Sequence, residues 1–185
     1  MSRPAGEVRI IGGQWRRSKL PVLDRPGLRP SGDRLRETLF NWLGQDLTGW
    51  RVLDAFAGSG ALGLEAASRG AAAVRLVERD GRAAASLRQV VARLPGAGER
   101  VRVDSGDAFA ALRQGPFELV LLDPPFDADL FERVLDAAIP ALSAGAWIYL
   151  EAPREMAAPP GLRRHRHLKA GATHAHLFQQ DNPAP

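Results

Sequence analysis

Residues 51–63 read Arg51-Val52-Leu53-Asp54-Ala55-Phe56-Ala57-Gly58-Ser59-Gly60-Ala61-Leu62-Gly63. A short apolar run ends in an acid, a turn of small residues follows, and helical periodicity begins at Leu62 and continues to Arg69. Gly58, Gly60 and Gly63 match the G-x-G-x-x-G spacing with which a strand turns tightly into a helix whose N-terminus faces a ligand. The alternation continues downstream. Strands are predicted over 51–56, 73–78, 100–103, 117–122 and 146–150, with helices over 62–69, 82–94, 108–113 and 130–142 between them. The run Phe117–Leu122 is apolar enough to be buried on both faces. Repeated strand–helix units of this length predict an α/β, Rossmann-like domain, a mostly parallel sheet with helices on both faces. After a loop over 153–161, residues 162–168 and 173–178 read as a terminal hairpin turned at Gly171.

Upstream, Leu35, Leu39, Phe40, Trp42 and Leu43 recur at helical steps, with Ser31 or Asp33 as the N-cap and Gly49 as the stop. The first 30 residues are rich in Gly, Pro and Arg; they read as an extended arm with one short hairpin around Gly12-Gly13. The organisation is thus an arm over 1–30, a domain over 31–180 and a tail over 181–185.

Composition narrows the function classes. At 185 residues the chain suits one domain with extensions. No apolar run approaches the ~20 residues of a membrane span, and no apolar leader segment is visible at the N-terminus. The absence of cysteine excludes disulfides, thiolate zinc sites and cysteine nucleophiles, and a reducing cytoplasm is the expected setting. The net charge of +4 is unevenly spread: residues 1–36 carry +6, residues 37–153 carry −5 and residues 154–185 carry +3. Basic ends around an acidic middle suit a polyanionic partner such as nucleic acid, or a solubilising tail.

The glycine turn matches a dinucleotide site, so a nicotinamide-dependent dehydrogenase is one reading. Asp54 favours another. A carboxylate beside the turn repels a pyrophosphate, whereas S-adenosyl-L-methionine presents an ammonium there that a carboxylate can hold, and a carboxylate that the helix N-terminus can take. Glu78 ends the second strand, where an acid accepts from ribose hydroxyls, and serves either cofactor. Asp107 follows the third strand and is placed either to accept from an adenine amine or to cap a helix. Phe56, Gly58, Ser59, Gly60, Arg79 and Ala108 complete the candidate cofactor set.

The fourth strand runs out into Asp123-Pro124-Pro125-Phe126. Prolines fix φ and remove N–H donors, which leaves a stiff loop that offers only acceptors. An aromatic ring stands just beyond. This set suits a planar group bearing an NH2. An exocyclic amine is a poor nucleophile because its lone pair is delocalised. If Asp123 and the Pro124 carbonyl each accept one N–H, the nitrogen can pyramidalise towards a methyl donor, and the same oxygens stabilise the positive charge it acquires. Phe126 stacks on a base that has been flipped out or lies in a loop. Asp123, Pro124 and Phe126 are the catalytic candidates.

Asp54…Gly58-Ser59-Gly60, Glu78, Asp107 and Asp123-Pro124-Pro125-Phe126 together resemble the motif set of class I S-adenosylmethionine-dependent amino-methyltransferases. With Arg9-Ile10-Ile11-Gly12-Gly13-Gln14-Trp15-Arg16, then Arg29-Pro30-Ser31, Asp33 and Arg36-Glu37-Thr38-Leu39-Phe40-Asn41-Trp42-Leu43, the chain is similar to the RsmD family over residues 8–151. That resemblance implies a seven-stranded sheet with its last strand antiparallel. It also implies methylation of the N2 of one guanine in bacterial 16S ribosomal RNA, with a partly assembled small subunit as substrate. Ser31 stands where the family usually has Thr, and the C-terminal stretch matches more loosely.

The arm cations Arg9, Arg16, Arg17, Lys19, Arg29, Arg34 and Arg36, with Trp15 as a stacking ring, are expected to track phosphates. Arg29, Ser31, Arg36 and Pro125 are candidates for contacts near the target base. His165, His167, His174 and His176 are expected to be solvated or RNA-facing rather than metal ligands, and a monomer is expected. Three rivals stay open: a DNA adenine-N6 or cytosine-N4 methyltransferase, an NAD-dependent dehydrogenase, and a non-catalytic RNA-binding protein.

Overall fold

A computed structural model describes residues 4–23 and 32–181; Arg29 and Ser31 lie outside them. The chain runs β1 (Pro4–Arg9), β2 (Lys19–Leu23), α1 (Asp33–Leu43), β3 (Arg51–Asp54), α2 (Ala61–Ser68), β4 (Ala73–Glu78), α3 (Gly81–Arg93), β5 (Val101–Ser105), α4 (Ala108–Leu112), β6 (Phe117–Leu122), α5 (Phe131–Ala138), β7 (Leu142–Ala152), β8 (Leu162–Ala170) and β9 (Thr173–Gln180). The seven-stranded sheet has the order β5-β4-β3-β6-β7-β9-β8. Strands β5 to β7 are parallel, and β9 runs antiparallel to both β7 and β8. This is the expected Rossmann-like architecture.

Two apolar layers sandwich the sheet. Leu64, Leu76, Leu87, Leu121 and Tyr149 belong to one, with the N-terminal hairpin, α1 and α2; Leu53, Val120, Leu122, Phe131 and Leu150 belong to the other, with α4 and α5. The apolar strand 117–122 is buried on both faces because both sides are covered.

Strand order reverses between β3 and β6, which are hydrogen-bonded neighbours. Open α/β sheets bind ligands in the crevice outside the carboxyl ends of strands at such a switch point. Asp54 closes β3 and Asp123 follows β6, so the topology puts both at the mouth of that crevice.

Several boundaries differ from expectation. Strand β7 runs over eleven residues from Leu142 rather than Ala146, because Leu142 pairs with Phe117 across a register shift that admits Ser143–Gly145. The predicted helix over 130–142 ends earlier; Pro140 lies in the short 3-10 turn Ile139–Ala141, which closes it. At the start of α1 Gly32 is the N-cap and no side chain caps the helix, so Asp33 is not the capping residue. The arm folds: β1 and β2 pair antiparallel from Arg9↔Lys19 outwards, with residues 10–18 as their connection. No helix among the described residues is long and apolar enough to cross a membrane.

Candidate active site

The carboxyl ends of β3, β4, β5 and β6 open on one cleft of about 570 Å3. Of the residues singled out in the sequence, Phe56, Gly58, Glu78, Arg79, Asp107, Ala108, Asp123 and Pro125 line it.

The glycine loop is shaped by backbone needs. Gly60 is the N-cap of α2 with φ 83°, a left-handed conformation that L side chains avoid. A Cβ there would lie 2.6 Å from Leu87 Cδ2. Gly63 brings α2 close to the sheet; a Cβ would fall 2.2 Å from Leu76 Cδ2 and 3.0 Å from Asp54 Cβ. Ser59 does not join the cleft. It faces a narrow crevice of Pro21, Leu23, Ala83 and Leu87, where the end of β2 rests on the glycine loop and α3.

Asp54 is 1% exposed. Its Oδ2 accepts the Gly63 N–H at 2.9 Å, and its Oδ1 is buried without a hydrogen-bond partner of good geometry. Burial pushes its carboxyl up to about 7, against the amides of Gly63 and Phe56 and with the charges of Glu78 and Glu151 adding to the rise.

Glu78 ties the loop down: Oε2 accepts the Gly58 N–H and Oε1 the Asp80 N–H, both at 2.9 Å. The acid that the sequence places at the end of β4 therefore shapes the turn itself, besides lining the cleft. Asp107 caps α4, its Oδ2 accepting from Ala110 N–H at 3.1 Å, so the helix-cap role weighed in the sequence is realised at a residue that also faces the cleft.

After β6 Pro124 is buried, Pro125 is exposed and Asp123 is half-buried. Pro125 opens the short 3-10 turn Phe126–Ala128. The half-buried Phe126 ring meets Phe131 edge-on, centroids 6.0 Å apart at 71°, which anchors the turn against the start of α5.

The N-terminal hairpin corrects two expectations. Arg9, Arg16, Arg17 and Lys19 are exposed, but Trp15 is 3% exposed and packs as a peg. Its indole N–H donates to the Pro95 carbonyl at 2.9 Å, its backbone N–H to Ser68 Oγ at 2.9 Å, and Arg100 lies over its ring. Arg36 is likewise no surface contact. Its guanidinium is wholly buried and donates to Glu65 Oε2 at 3.3 Å, the Arg9 carbonyl at 2.9 Å and Asp33 Oδ1 at 2.5 Å. The histidines differ too. His176 is buried, accepting from the Met156 N–H at 2.9 Å through Nε2 and bonded to the Leu150 carbonyl through Nδ1. Burial holds its imidazole down at about 4, so it is neutral, with the proton on Nδ1. His167 and His174 stack on each other. Among the described residues no cluster suits a metal ion.

Two groups escaped the sequence reading. Glu65 and Ser68 on α2 hold the hairpin's connection: Glu65 accepts the Ile11 and Gly12 amides at 2.8 Å each and the Arg69 Nε–H at 2.9 Å, and Ser68 Oγ donates to the Gly12 carbonyl at 2.6 Å. The signal was Glu65, the one charged residue in an otherwise apolar and small helix. The second group is Tyr149 and Glu151 on β7, whose side chains bond to each other.

The family model described as conserved hypothetical protein 95 matches residues 8–179. The ribosomal RNA small subunit methyltransferase D of Escherichia coli (strain K12) is 42% identical over 182 residues, covering 96% of this chain and 92% of that protein. Its counterpart in Haemophilus influenzae is 42% identical over 81% of each chain. The solved yhhF protein of Escherichia coli superimposes with a TM-score of 0.84 at 43% identity, over 96% of this chain and all of that one. A family match across almost the whole chain, together with relatives of this identity, makes the protein a member of the conserved hypothetical protein 95 family, the RsmD family that its motifs resemble.

Proposed function

We propose that this chain is an S-adenosyl-L-methionine-dependent methyltransferase of small-subunit ribosomal RNA whose target is the exocyclic N2 amine of a guanine. The rRNA part of the reading is supported by relatives that cover nearly the whole chain and are named ribosomal RNA small subunit methyltransferase D. The amine target is supported chiefly by one observation: Asp123, on a proline-stiffened turn, faces the same cleft as the glycine loop. A partly assembled small subunit is the proposed substrate, and the protein is proposed to act as a monomer.

The residues present fit the cofactor. Asp54 offers a buried acceptor to an ammonium, the start of α2 offers amides and a positive dipole end to a carboxylate, and Glu78 lines the cleft at the end of β4, where an acid suits ribose hydroxyls. Asp107 and Ala108 flank the far end of the cleft, where the adenine would sit. When bound, the cofactor supplies a methyl group on a cationic sulfur. The chain's own work is to orient and polarise the acceptor. Asp123 and the Pro124 carbonyl take the two N–H groups of the amine, which frees its lone pair and balances its growing charge. Phe126 and Pro125 confine the base. The buried Asp54 speaks against a pyrophosphate-bearing cofactor in this turn.

Two expected outcomes follow from the site. Asp54 titrates near 7 in the free protein, and an ammonium ligand needs it ionised, so cofactor affinity should rise as pH climbs through about 7. The linkage has the opposite sign for the free fold: a raised carboxyl contributes stability that is complete below its ordinary value near 4 and is lost as pH rises through about 7. Calorimetric titrations from pH 6 to 8 should show the rise in affinity, and Asp54→Asn should flatten it; a wild-type affinity independent of pH would contradict the assignment. Secondly, reversing the charge at the exposed Arg16 and Arg17 should weaken RNA binding and reduce the slope of log K against log salt, by about 1 for each phosphate that is no longer neutralised. An unchanged slope would remove the hairpin from the RNA interface.

The function itself is tested by incubating the protein with labelled cofactor and small-subunit particles from cells lacking the enzyme, then mapping the label. Label on one guanine N2 is expected. Label on adenine N6 would overturn the guanine assignment, and label on a ribose or a ring nitrogen would overturn the amine assignment.

A further inference from the structure

Strand register places one further carboxylate beside the reaction turn. Asp54 pairs with Leu121 across β3 and β6, and Leu121 pairs with Tyr149 across β6 and β7. These three side chains therefore share one face of the sheet. Two residues further along each strand, Asp123 and Glu151 fall on that same face. Leu122, the last residue of β6, pairs with Leu150, so Glu151 on β7 comes beside Asp123, the first residue after β6, and both carboxylates act on the Tyr149 hydroxyl.

Glu151 is 4% exposed and its Oε1 accepts the Tyr149 hydroxyl at 2.8 Å. The buried hydroxyl is held protonated by burial and by the neighbouring charges of Glu151 and Asp123, so it serves Glu151 as a donor only. Glu151 in turn adds to the rise of the Asp54 carboxyl; the two acids sense each other across the switch point. The buried Asp54 closes β3 on the same face, so these carboxylates lie inside the fold rather than on an acidic surface patch.

We infer that Glu151 is a selectivity residue: its negative charge, set opposite Asp123, favours the cationic methyl donor over the neutral thioether that remains after transfer. The inference rests on the methyltransferase reading above. It asks for no contact between Glu151 and the ligand. The two ligands share the same ammonium and carboxylate and differ by one positive charge at sulfur, and a unit charge acting through about 8 Å at an effective dielectric near 20 is worth up to roughly thirtyfold in affinity. Whatever other groups Glu151 meets, the isosteric change Glu151→Gln withdraws one negative charge and keeps an acceptor for Tyr149.

The test is calorimetric binding of S-adenosylmethionine and S-adenosylhomocysteine to the wild-type protein, to Glu151→Gln, and to Glu151→Met as a second variant should the first not fold. We expect donor affinity to fall about tenfold while thioether affinity stays within about twofold, so that the ratio of the two constants moves. A merely structural role would weaken both ligands alike, and that result, or an unmoved ratio, would overturn the inference. Tyr149→Phe keeps the charge and should leave the ratio within about threefold of wild type; a tenfold change there would assign selectivity to the hydroxyl instead. Failure of both ligands to bind the wild-type protein would sink the methyltransferase reading itself, and is thereby distinct from failure at Glu151.

Discussion

Asp123→Ala should lower turnover by about 10²–10³-fold, the usual cost of deleting one preorganised group that stabilises developing charge, and leave the dissociation constant of S-adenosylmethionine within about twofold. The separation follows from position. Asp54 and Glu78 end β3 and β4, whereas Asp123 follows β6 on a separate, proline-stiffened turn. On the proposed reading its removal takes away an acceptor for the target amine and leaves the glycine loop in place. Asp123→Asn should be milder, because the amide oxygen still accepts one N–H but carries no charge to balance the nitrogen. Single-turnover methylation of the RNA substrate measures the chemical step, and calorimetry measures the cofactor. An alanine variant as fast as wild type would remove Asp123 from the chemistry. One that loses cofactor in proportion to rate would make it a binding residue.

Glu65→Ala is expected to be the most destabilising single change. Glu65 and Arg36 are both fully buried, and Glu65 also holds Arg69 and two amides of the hairpin's connection. Removing the acid leaves the buried Arg36 guanidinium with only the exposed Asp33 and the Arg9 carbonyl and frees two amides of the connection, and breaking a buried pair of this kind costs about 3–5 kcal/mol. For a chain of this size that is roughly 6–20 °C in melting temperature. Replacing both partners, Glu65→Gln with Arg36→Met, should recover part of the loss, because it is the unpaired charge rather than the missing bond that costs most. Thermal or urea unfolding of Glu65→Gln, Arg36→Met and the double variant, as a cycle, measures the coupling. A fully additive cycle would show that the two residues do not act together.

The parallel sheet and most of the cleft could be read from the chain because each depends on short-range pattern. The glycine spacing at Gly58, Gly60 and Gly63, the acid ending β4 and the prolines after β6 state backbone requirements that hold in any surroundings. What could not be read depends on contacts between distant segments. Trp15 and Arg36 look like RNA ligands in a basic stretch; they are interior because Glu65, Ser68 and Pro95, some thirty to eighty positions away, receive them. Glu151 was invisible for the same reason: nothing local distinguishes it, and only the registers of β3, β6 and β7 bring it to Asp123. His176 read as exposed on an alternating edge, yet β9 lies inside the sheet between β7 and β8, so that position is covered.

A crystal structure with S-adenosylhomocysteine bound examines the account where it is most exposed. The ligand's ammonium should meet the Asp54 carboxylate, and its sulfur should point across the cleft to the turn at Asp123 and Pro124. A ligand whose sulfur faces away from that turn, or one seated outside the reach of Asp54, would contradict it.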